Sequence, residues 1–181
     1  TVFEEHRDIG FPSHCAGHLS IRGLARLELI PLPPQLVENV YRGAVFHSPS
    51  GNSFEVILDS PVTCSVNRAL FDQYLAEKAR DAGAHFSLES KVENLKINNG
   101  APSLVTVKQP TGTRRFQSKI VIDAEGVSSR ILRQTGLPRL NSKMLVNGIE
   151  AEVENVQDVQ PDVVEVFLGT DCARGLYAWL M

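Results

Sequence analysis

The sequence has 181 residues, with 18 Lys and Arg against 21 Asp and Glu, a formal charge of -3. Hydrophobic residues make up 43% and charged residues 22%, ordinary for a globular chain long enough for one domain or slightly more and a sizeable core. Mild acidity argues against a general nucleic-acid binder, no secretory signal is visible, and the longest apolar runs, Val56–Leu58 and Ile120–Ile122, fall far short of the ~20 residues of a membrane span.

The chain opens Thr1-Val2-Phe3-Glu4 without Met, as if inside a strand, and closes on the apolar Tyr177-Ala178-Trp179-Leu180-Met181. Termini are usually polar and frayed, so an internal excerpt of a longer protein is expected rather than a complete small domain. Val2–Glu4 reads as a strand end. Residues 7–18 hold Gly10, Pro12 and Gly17 and read as a loop. Ser20 is placed to cap a short helix over 21–29, which Pro31, Pro33 and Pro34 stop. Residues 39–48 and 53–59 form a hairpin around Ser50-Gly51-Asn52. The clearest helix covers 67–82, with apolar residues at 70, 71, 74, 75, 79 and 82 and Gly83 as its stop.

Short strands are expected at 84–88, 91–98, 103–109 and 114–122, with turns at Asn98-Asn99-Gly100 and 109–113. Ile120-Val121-Ile122 reads as a buried strand entering the Asp123-Ala124-Glu125-Gly126 turn. A helix over 128–134 follows, ended by Gly136-Leu137-Pro138. The remainder reads as strands at 144–154, 162–169 and 175–181, with the alternation in Val163–Leu168 suiting a half-buried sheet. The mixture predicts α/β (α+β) architecture with a partly antiparallel sheet, which by itself says nothing about function.

Four constellations are able to carry chemistry. Glu4 and Glu5 follow a strand, where a carboxylate accepts hydrogen bonds from a ribose in dinucleotide folds; a solvated Glu is the plainer alternative. The loop Ile9–Gly17 carries small residues that allow close backbone approach to a flat ligand, with Cys15, His14 and His18 within five residues; a tight surface loop explains it equally well. Arg68 opens the long helix within reach of a phosphate, although spacing favours a pair with Asp72 at i+4. The turn Asp123–Gly126 before Ser129 and Arg130 combines an acid, a glycine and a helix start, a setting that favours an anion such as pyrophosphate. Cys15, Cys64 and Cys172 are odd in number and widely spaced, neither a disulfide framework nor a zinc site, so a reducing cytoplasmic setting is the default and no metal is expected. His6, His14, His18, His47 and His85 are scattered and read as surface or structural residues.

Taken in order, Glu4, Pro12–Gly17, Asn67–Asp72 and Asp123–Gly126 resemble the geranylgeranyl reductase family, within the FAD-dependent group with the p-hydroxybenzoate hydroxylase-like fold. Tyr177-Ala178-Trp179-Leu180-Met181 resembles the family's Tyr-x-Trp-x-Phe-Pro segment. The resemblance covers almost the whole chain, and the Cys-Ala-Gly loop and Tyr-x-Trp end are its more specific parts. It implies part of an FAD/NAD(P)-binding Rossmann-like domain with an antiparallel substrate-side sheet. Residues 1–38 and 62–138 would be the partial FAD-binding domain, 39–61 a hairpin insertion, and 139–181 the start of the substrate-binding sheet.

It further implies that Glu4 holds the adenosine ribose and that Val92 contacts adenine through its backbone. Cys15, Ala16, Gly17 and His18 would lie along the flavin, Arg68 near the phosphates, Glu125 and Gly126 near the pyrophosphate. Tyr177 and Trp179 would line an isoprenoid pocket, where aromatic faces suit an apolar chain, although plain sheet packing competes. Cys15 is the expected proton donor or positioning group; Cys64 and Cys172 are expected to be buried structural thiols.

The implied activity is FAD-dependent reduction of isoprenoid double bonds in a lipid or pigment precursor, with NAD(P)H or ferredoxin as donor. An isoprenoid substrate implies peripheral membrane contact, though no basic amphipathic helix marks it. Two departures stand out. The family's Gly-Ala-Asp-Gly turn reads Asp123-Ala124-Glu125-Gly126 here. The Gly-x-Gly-x-x-Gly turn and Gly-Asp segment of such enzymes are absent, so the chain alone is expected to hold FAD poorly and to be inactive. An FAD-dependent aromatic monooxygenase or halogenase fits the Asp-Ala-Glu-Gly turn and the 67–72 segment nearly as well, and a non-catalytic truncated domain is the third reading.

Overall fold

The structure, a computed structural model, describes residues 1–98, 102–138 and 140–181. The expected Asn98-Asn99-Gly100 turn falls largely outside the described residues. In chain order the first strands are β1 (Val2–Phe3), β2 (His18–Ser20), β3 (Val37–Tyr41), β4 (Gly43–His47), β5 (Ser53–Ile57) and β6 (Thr63–Val66). Then come β7 (Phe86–Ser87), β8 (Lys91–Lys96), β9 (Ser103–Gln109), β10 (Gly112–Ser118), β11 (Val163–Leu168) and β12 (Tyr177–Leu180). Helix α1 covers Ile21–Arg26 and α2 covers Arg68–Asp81. The chain divides into two compact units, residues 1–11 with 73–145 and residues 12–72 with 146–181, and α2 contributes to both. Among the described residues no helix is long and apolar enough to cross a membrane.

Both helices end where local chemistry directs. The Ser20 hydroxyl accepts from the Gly23 N–H at 3.2 Å and caps α1. The helix stops three residues earlier than expected, because Glu28 takes φ 56 and turns the chain before the prolines. Asn67 caps α2 through the Leu70 N–H at 3.1 Å. Gly83, at φ 91, closes it, with the N–H groups of Gly83 and Ala84 returning to the carbonyls of Arg80 and Ala79.

In the first unit β1 pairs in parallel with β7, and β8, β9 and β10 form an antiparallel sheet with β9 central. The β-branched alternation of β9 buries Val105 and Val107, the latter completely. They pack with Leu95 and Ile131, flanked by Phe3, Val92 and Phe116. Gly112, at φ 117, closes the β9–β10 hairpin.

Several sequence expectations fail in the first unit and at its junction with residues 146–154. Ile120–Ile122 forms no strand, and Ile120 and Ile122 are 79% and 88% exposed. A buried strand needs ladder partners, and among the described residues none runs beside this segment; β1 has only β7 in its sheet. The helix expected over 128–134 is two 3₁₀ turns, 126–128 and 132–134, parted by Ser129 in the left-handed region at φ 46. The strand expected at 84–88 shrinks to β7, because Glu89 adopts φ 49. The strand expected at 144–154 is irregular chain with an exposed Ile149 and Val153, again without a paired neighbour.

The second unit holds two sheets. One has the order β2-β6-β3 and is antiparallel; the other has the order β12-β11-β4-β5, with β11 and β4 its parallel pair. The expected hairpin is present as β4 and β5 around Ser48–Asn52, with Gly51 at φ 82. Each of its arms continues across a break into the other sheet, β3 into β4 at Arg42 and β5 into β6 through 58–62. The break is held: the Arg42 N–H donates to Asp162 O, its carbonyl accepts from the Leu58 N–H, and its guanidinium pairs with the Asp162 carboxylate. Gly43 starts β4 because a Cβ there would overlap the Val56 carbonyl oxygen.

Strand alternation gives the four-stranded sheet two unlike faces. Ala44, Phe46 and Val56 share one face with Val164, Val166 and Trp179, placed by the register Val56↔Ala44, Phe46↔Val166 and Val166↔Trp179. The opposite face carries His47, whose ring stacks on Phe167 at 4.6 Å and pairs with the Glu165 carboxylate.

Candidate functional site

The apolar face of the four-stranded sheet is one wall of a cavity of about 1520 Å³, lined entirely by residues of the second unit. Leu168, Tyr177 and Trp179 extend that wall, and the Tyr177 and Trp179 rings meet edge to face at 6.0 Å. The loop Ser13–Ala16, with His18 and Thr63, forms a second side, and the segment Gly148–Glu152 a third.

The loop owes its position to Gly17. This residue adopts φ 66, its carbonyl accepts from the Val66 N–H at 3.1 Å, and a Cβ on it would overlap the Val66 carbonyl oxygen. Only glycine allows that approach. Cys15 is thereby held exposed on the cavity side, where its sulfur accepts from Arg68 Nη1 at 3.2 Å. Arg68 Nε donates to Asp72 Oδ1 at 2.8 Å, the i+4 pair that spacing favoured, and this hydrogen bond is the largest influence holding its guanidinium pKa above the ordinary value. His18 Nε2 and Thr63 Oγ1 share a hydrogen bond of 2.7 Å. The His18 ring sets its edge against Tyr41, whose hydroxyl bonds the buried Ser65. Desolvation pulls His18 below its ordinary value and so favours the neutral ring.

The first unit holds the other expected residues. Glu4 Oε1 accepts from the His6 backbone N–H at 2.8 Å and pairs with His6 Nδ1 at 2.7 Å. Beside it Glu5 pairs with Lys91, and the Lys91 hydrogen bond, its largest influence, holds the Glu5 carboxyl below the usual range. The Val92 carbonyl accepts from Arg130 Nη2 at 2.8 Å. Glu125 turns inward: Oε1 accepts from the N–H groups of Ile131 and Leu132 at 2.7 and 2.9 Å, and Oε2 from the Ser128 hydroxyl at 3.1 Å. Gly126 takes φ 67 with open space around the missing Cβ.

Glu125 therefore caps its own turn, and its stability effect follows from linkage. Desolvation, the largest single influence, raises its pKa, but the Leu132, Ile131 and Ser128 hydrogen bonds outweigh it and hold the carboxyl below its ordinary value of 4.5. A depressed carboxyl stabilises the fold above its unfolded value and loses that contribution as pH falls through the folded one. Glu125→Gln is expected to cost about 1–2 kcal/mol at pH 7, the scale of charge-assisted bonds to backbone donors. Urea unfolding at stepped pH should show wild type and variant converging below 4.5; a gap that stays constant into acid would contradict this.

The structure thus brings Cys15, Ala16, His18, Tyr177 and Trp179 to one cavity, with Gly17 buried between Ala16 and His18 and Arg68 bonded to Cys15. Sequence reasoning missed Thr63, Glu150 and Glu152 on the same lining, since nothing local marks them; the alternation in 43–47 was the available signal for the wall. Cys64 is buried as expected and its thiol pKa is pushed up by desolvation. Cys172 is exposed instead, in the turn where its N–H returns to the Gly169 carbonyl between β11 and β12.

No protein-family model matches the chain. It is 29% identical to digeranylgeranylglycerophospholipid reductase 1 of Methanosphaera stadtmanae, over 99% of this chain and 44% of that protein. It is 31% identical to digeranylgeranylglycerophospholipid reductase 2 of Methanothermobacter thermautotrophicus, over 99% of this chain and 46% of that protein. Its fold matches the crystal structure of a geranylgeranyl bacteriochlorophyll reductase-like protein from Thermoplasma acidophilum, with TM-score 0.79, 24% identity and coverage of 98% of this chain and 45% of that one. The chain is therefore similar to digeranylgeranylglycerophospholipid reductases along almost its whole length, shares the mixed α/β fold of the Thermoplasma protein, and spans less than half the length of these relatives.

Proposed function

We propose that the full-length protein is an FAD-dependent reductase that saturates double bonds of a geranylgeranyl-type chain in a lipid or pigment precursor. The observation that carries this reading is the cavity: an apolar sheet face ending in Tyr177 and Trp179 lines the same volume of about 1520 Å³ as Cys15. Pockets for small ligands occupy roughly 300–1,000 Å³, so there is room for a long, flexible chain. The near-complete alignment with reductases of isoprenoid lipids supports the same substrate class.

The residues present fit the cofactor. Glu4 engages His6 through Oε1, leaving Oε2 for a ribose hydroxyl. The space around Gly126 is open, as a pyrophosphate would need. Val92 is assigned to adenine through its backbone, the Glu125-Gly126 turn to the pyrophosphate through its backbone while the Glu125 carboxylate braces the turn, and Arg68 to the phosphates. Cys15, Ala16, Gly17 and His18 are assigned to the flavin. On this reading residues 1–38 and 62–138 are the cofactor part, 39–61 is an inserted hairpin, and 139–181 begins the substrate-binding sheet. NAD(P)H or ferredoxin would be the electron donor, and the protein would act in the cytoplasm at a membrane surface.

Bound flavin, once reduced by the electron donor, would supply hydride to one alkene carbon. The chain's own contribution is to hold the isoprenoid against Trp179 and Tyr177, to exclude water along the Phe46–Val166 wall, and to deliver a proton to the second carbon. Cys15 is assigned that proton, with Arg68 Nη1 fixing the position of its sulfur.

Anaerobic turnover of a geranylgeranyl lipid by the reduced full-length protein tests the reading, with two hydrogens gained per double bond by mass spectrometry. Oxygen consumption coupled to NADPH oxidation without saturation would instead identify an aromatic monooxygenase or halogenase. Cys15→Ser is expected to lower kcat about 100-fold, the lower range of general acid catalysis; unchanged turnover would remove Cys15 from the mechanism.

A further inference from the structure

Arg68 bridges two side chains at the start of α2. Its Nε donates to Asp72 Oδ1 at 2.8 Å, and its Nη1 donates to Cys15 Sγ at 3.2 Å. All three residues belong to the second unit. The first turn of α2 is itself fixed: Asn67 caps it through the Leu70 N–H, the Asn67 N–H returns to the Leu36 carbonyl, and Ala69 and Phe71 are buried. Arg68 and Asp72 are neighbours on one helix face, with side chains 35% and 31% exposed. A guanidinium is planar, so a partner that holds Nε sets the plane in which Nη1 and Nη2 point. Because Arg68 is the donor, it occupies a lone pair of the sulfur and leaves the Cys15 S–H free for another group.

We infer that Asp72 is a positioning residue: by holding Nε it keeps Nη1 on Cys15 Sγ, so that the thiol hydrogen is presented in one direction, and it leaves Nη2 for the cofactor phosphates. The inference rests on the reading of Cys15 as the proton donor and goes beyond it in naming the residue that sets the donor's geometry. As one alkene carbon accepts hydride from the reduced flavin, the electron pair of the broken π bond takes up the Cys15 proton at the second carbon, and the S–H bond breaks. The negative charge is left on a sulfur that Nη1 already touches, and water returns the proton between turnovers. Asp72 is not among the described residues that line the cavity, so it acts through Arg68.

Two measurements on the full-length protein test this. The first is the rate at which iodoacetamide labels Cys15, resolved by peptide mass spectrometry, with Cys172, an exposed thiol in a different turn, as the internal control. Asp72→Ala is expected to slow Cys15 labelling about tenfold as the cation leaves the sulfur, with Cys172 unchanged. Asp72→Asn, whose amide oxygen still accepts from Nε, is expected to keep the wild-type rate. The second is anaerobic turnover of a geranylgeranyl lipid by the flavin-loaded protein. Here Asp72→Ala is expected to lower kcat about tenfold at unchanged KM, and Asp72→Asn to recover most of it. Unchanged labelling in Asp72→Ala, equal slowing of Cys15 and Cys172, or an Asn variant as impaired as the Ala variant overturns the inference and leaves the prenyl cavity standing. Failure of the wild-type protein to saturate the lipid overturns the reductase reading, and the proton-delivery role of Asp72 with it, whatever the labelling shows.

Discussion

Gly17→Ala will destabilise the second unit by about 3 kcal/mol, measured as a fall in the urea midpoint. Two costs add. A left-handed conformation costs a residue with a Cβ about 1–2 kcal/mol, and Gly17 sits at φ 66. The new Cβ would also overlap the Val66 carbonyl oxygen, which is backbone and has no rotamer to yield; such crowding costs about 1–3 kcal/mol. Relief requires moving the loop off β6, which breaks the Val66 N–H to Gly17 carbonyl bond and carries Cys15 and His18 with it. Gly51→Ala is the internal control: Gly51 has φ 82 but nothing near its missing Cβ, so only the conformational cost applies. Equal losses for the two variants would refute the crowding argument.

If the full-length protein is the prenyl reductase proposed above, Trp179→Ala will raise KM for the isoprenoid about 30-fold with little change in kcat. Trp179 lies on β12 opposite Val166 and forms the aromatic end of the cavity wall with Tyr177. Removing a large apolar contact from a bound chain forfeits about 2 kcal/mol, which is roughly 30-fold in affinity. The contact is the same in ground and transition states, so the loss falls on KM. Trp179→Phe should recover most of it. A loss confined to kcat would instead place Trp179 against the reacting bond.

What was legible in the sequence was what is locally determined. Helix α2 carries its cap at Asn67, its period and its stop at Gly83 within one window, and it forms within a residue at each end of the expected 67–82. The β4–β5 hairpin announces itself through Gly51 and flanking β-branched and aromatic residues. Ile120–Ile122 and 144–154 have strand composition, but strands exist only in ladders, and composition does not say whether a partner is present. Glu125 is instructive in another way. Its acid-glycine turn was readable as a ligand-binding element, yet the left-handed Ser129 folds the chain back so that the carboxylate meets the N–H groups of Ile131 and Leu132. Of the cavity, the Cys15 loop and the Tyr177–Trp179 end were legible because they resemble a known family. Thr63, Glu150 and Glu152 were not, because only the tertiary fold brings them to the lining.

The unpaired run Ile120-Val121-Ile122 sets the colloidal character of the chain. Three consecutive β-branched residues that, among the described residues, no neighbouring strand pairs form a template for another extended segment. Lys119 on one side and Asp123 and Glu125 on the other place charge at both ends of the run, the arrangement by which soluble proteins interrupt growth of intermolecular sheets. With a net charge of only -3 to keep copies apart, these flanking charges are the principal local barrier to self-association at this segment.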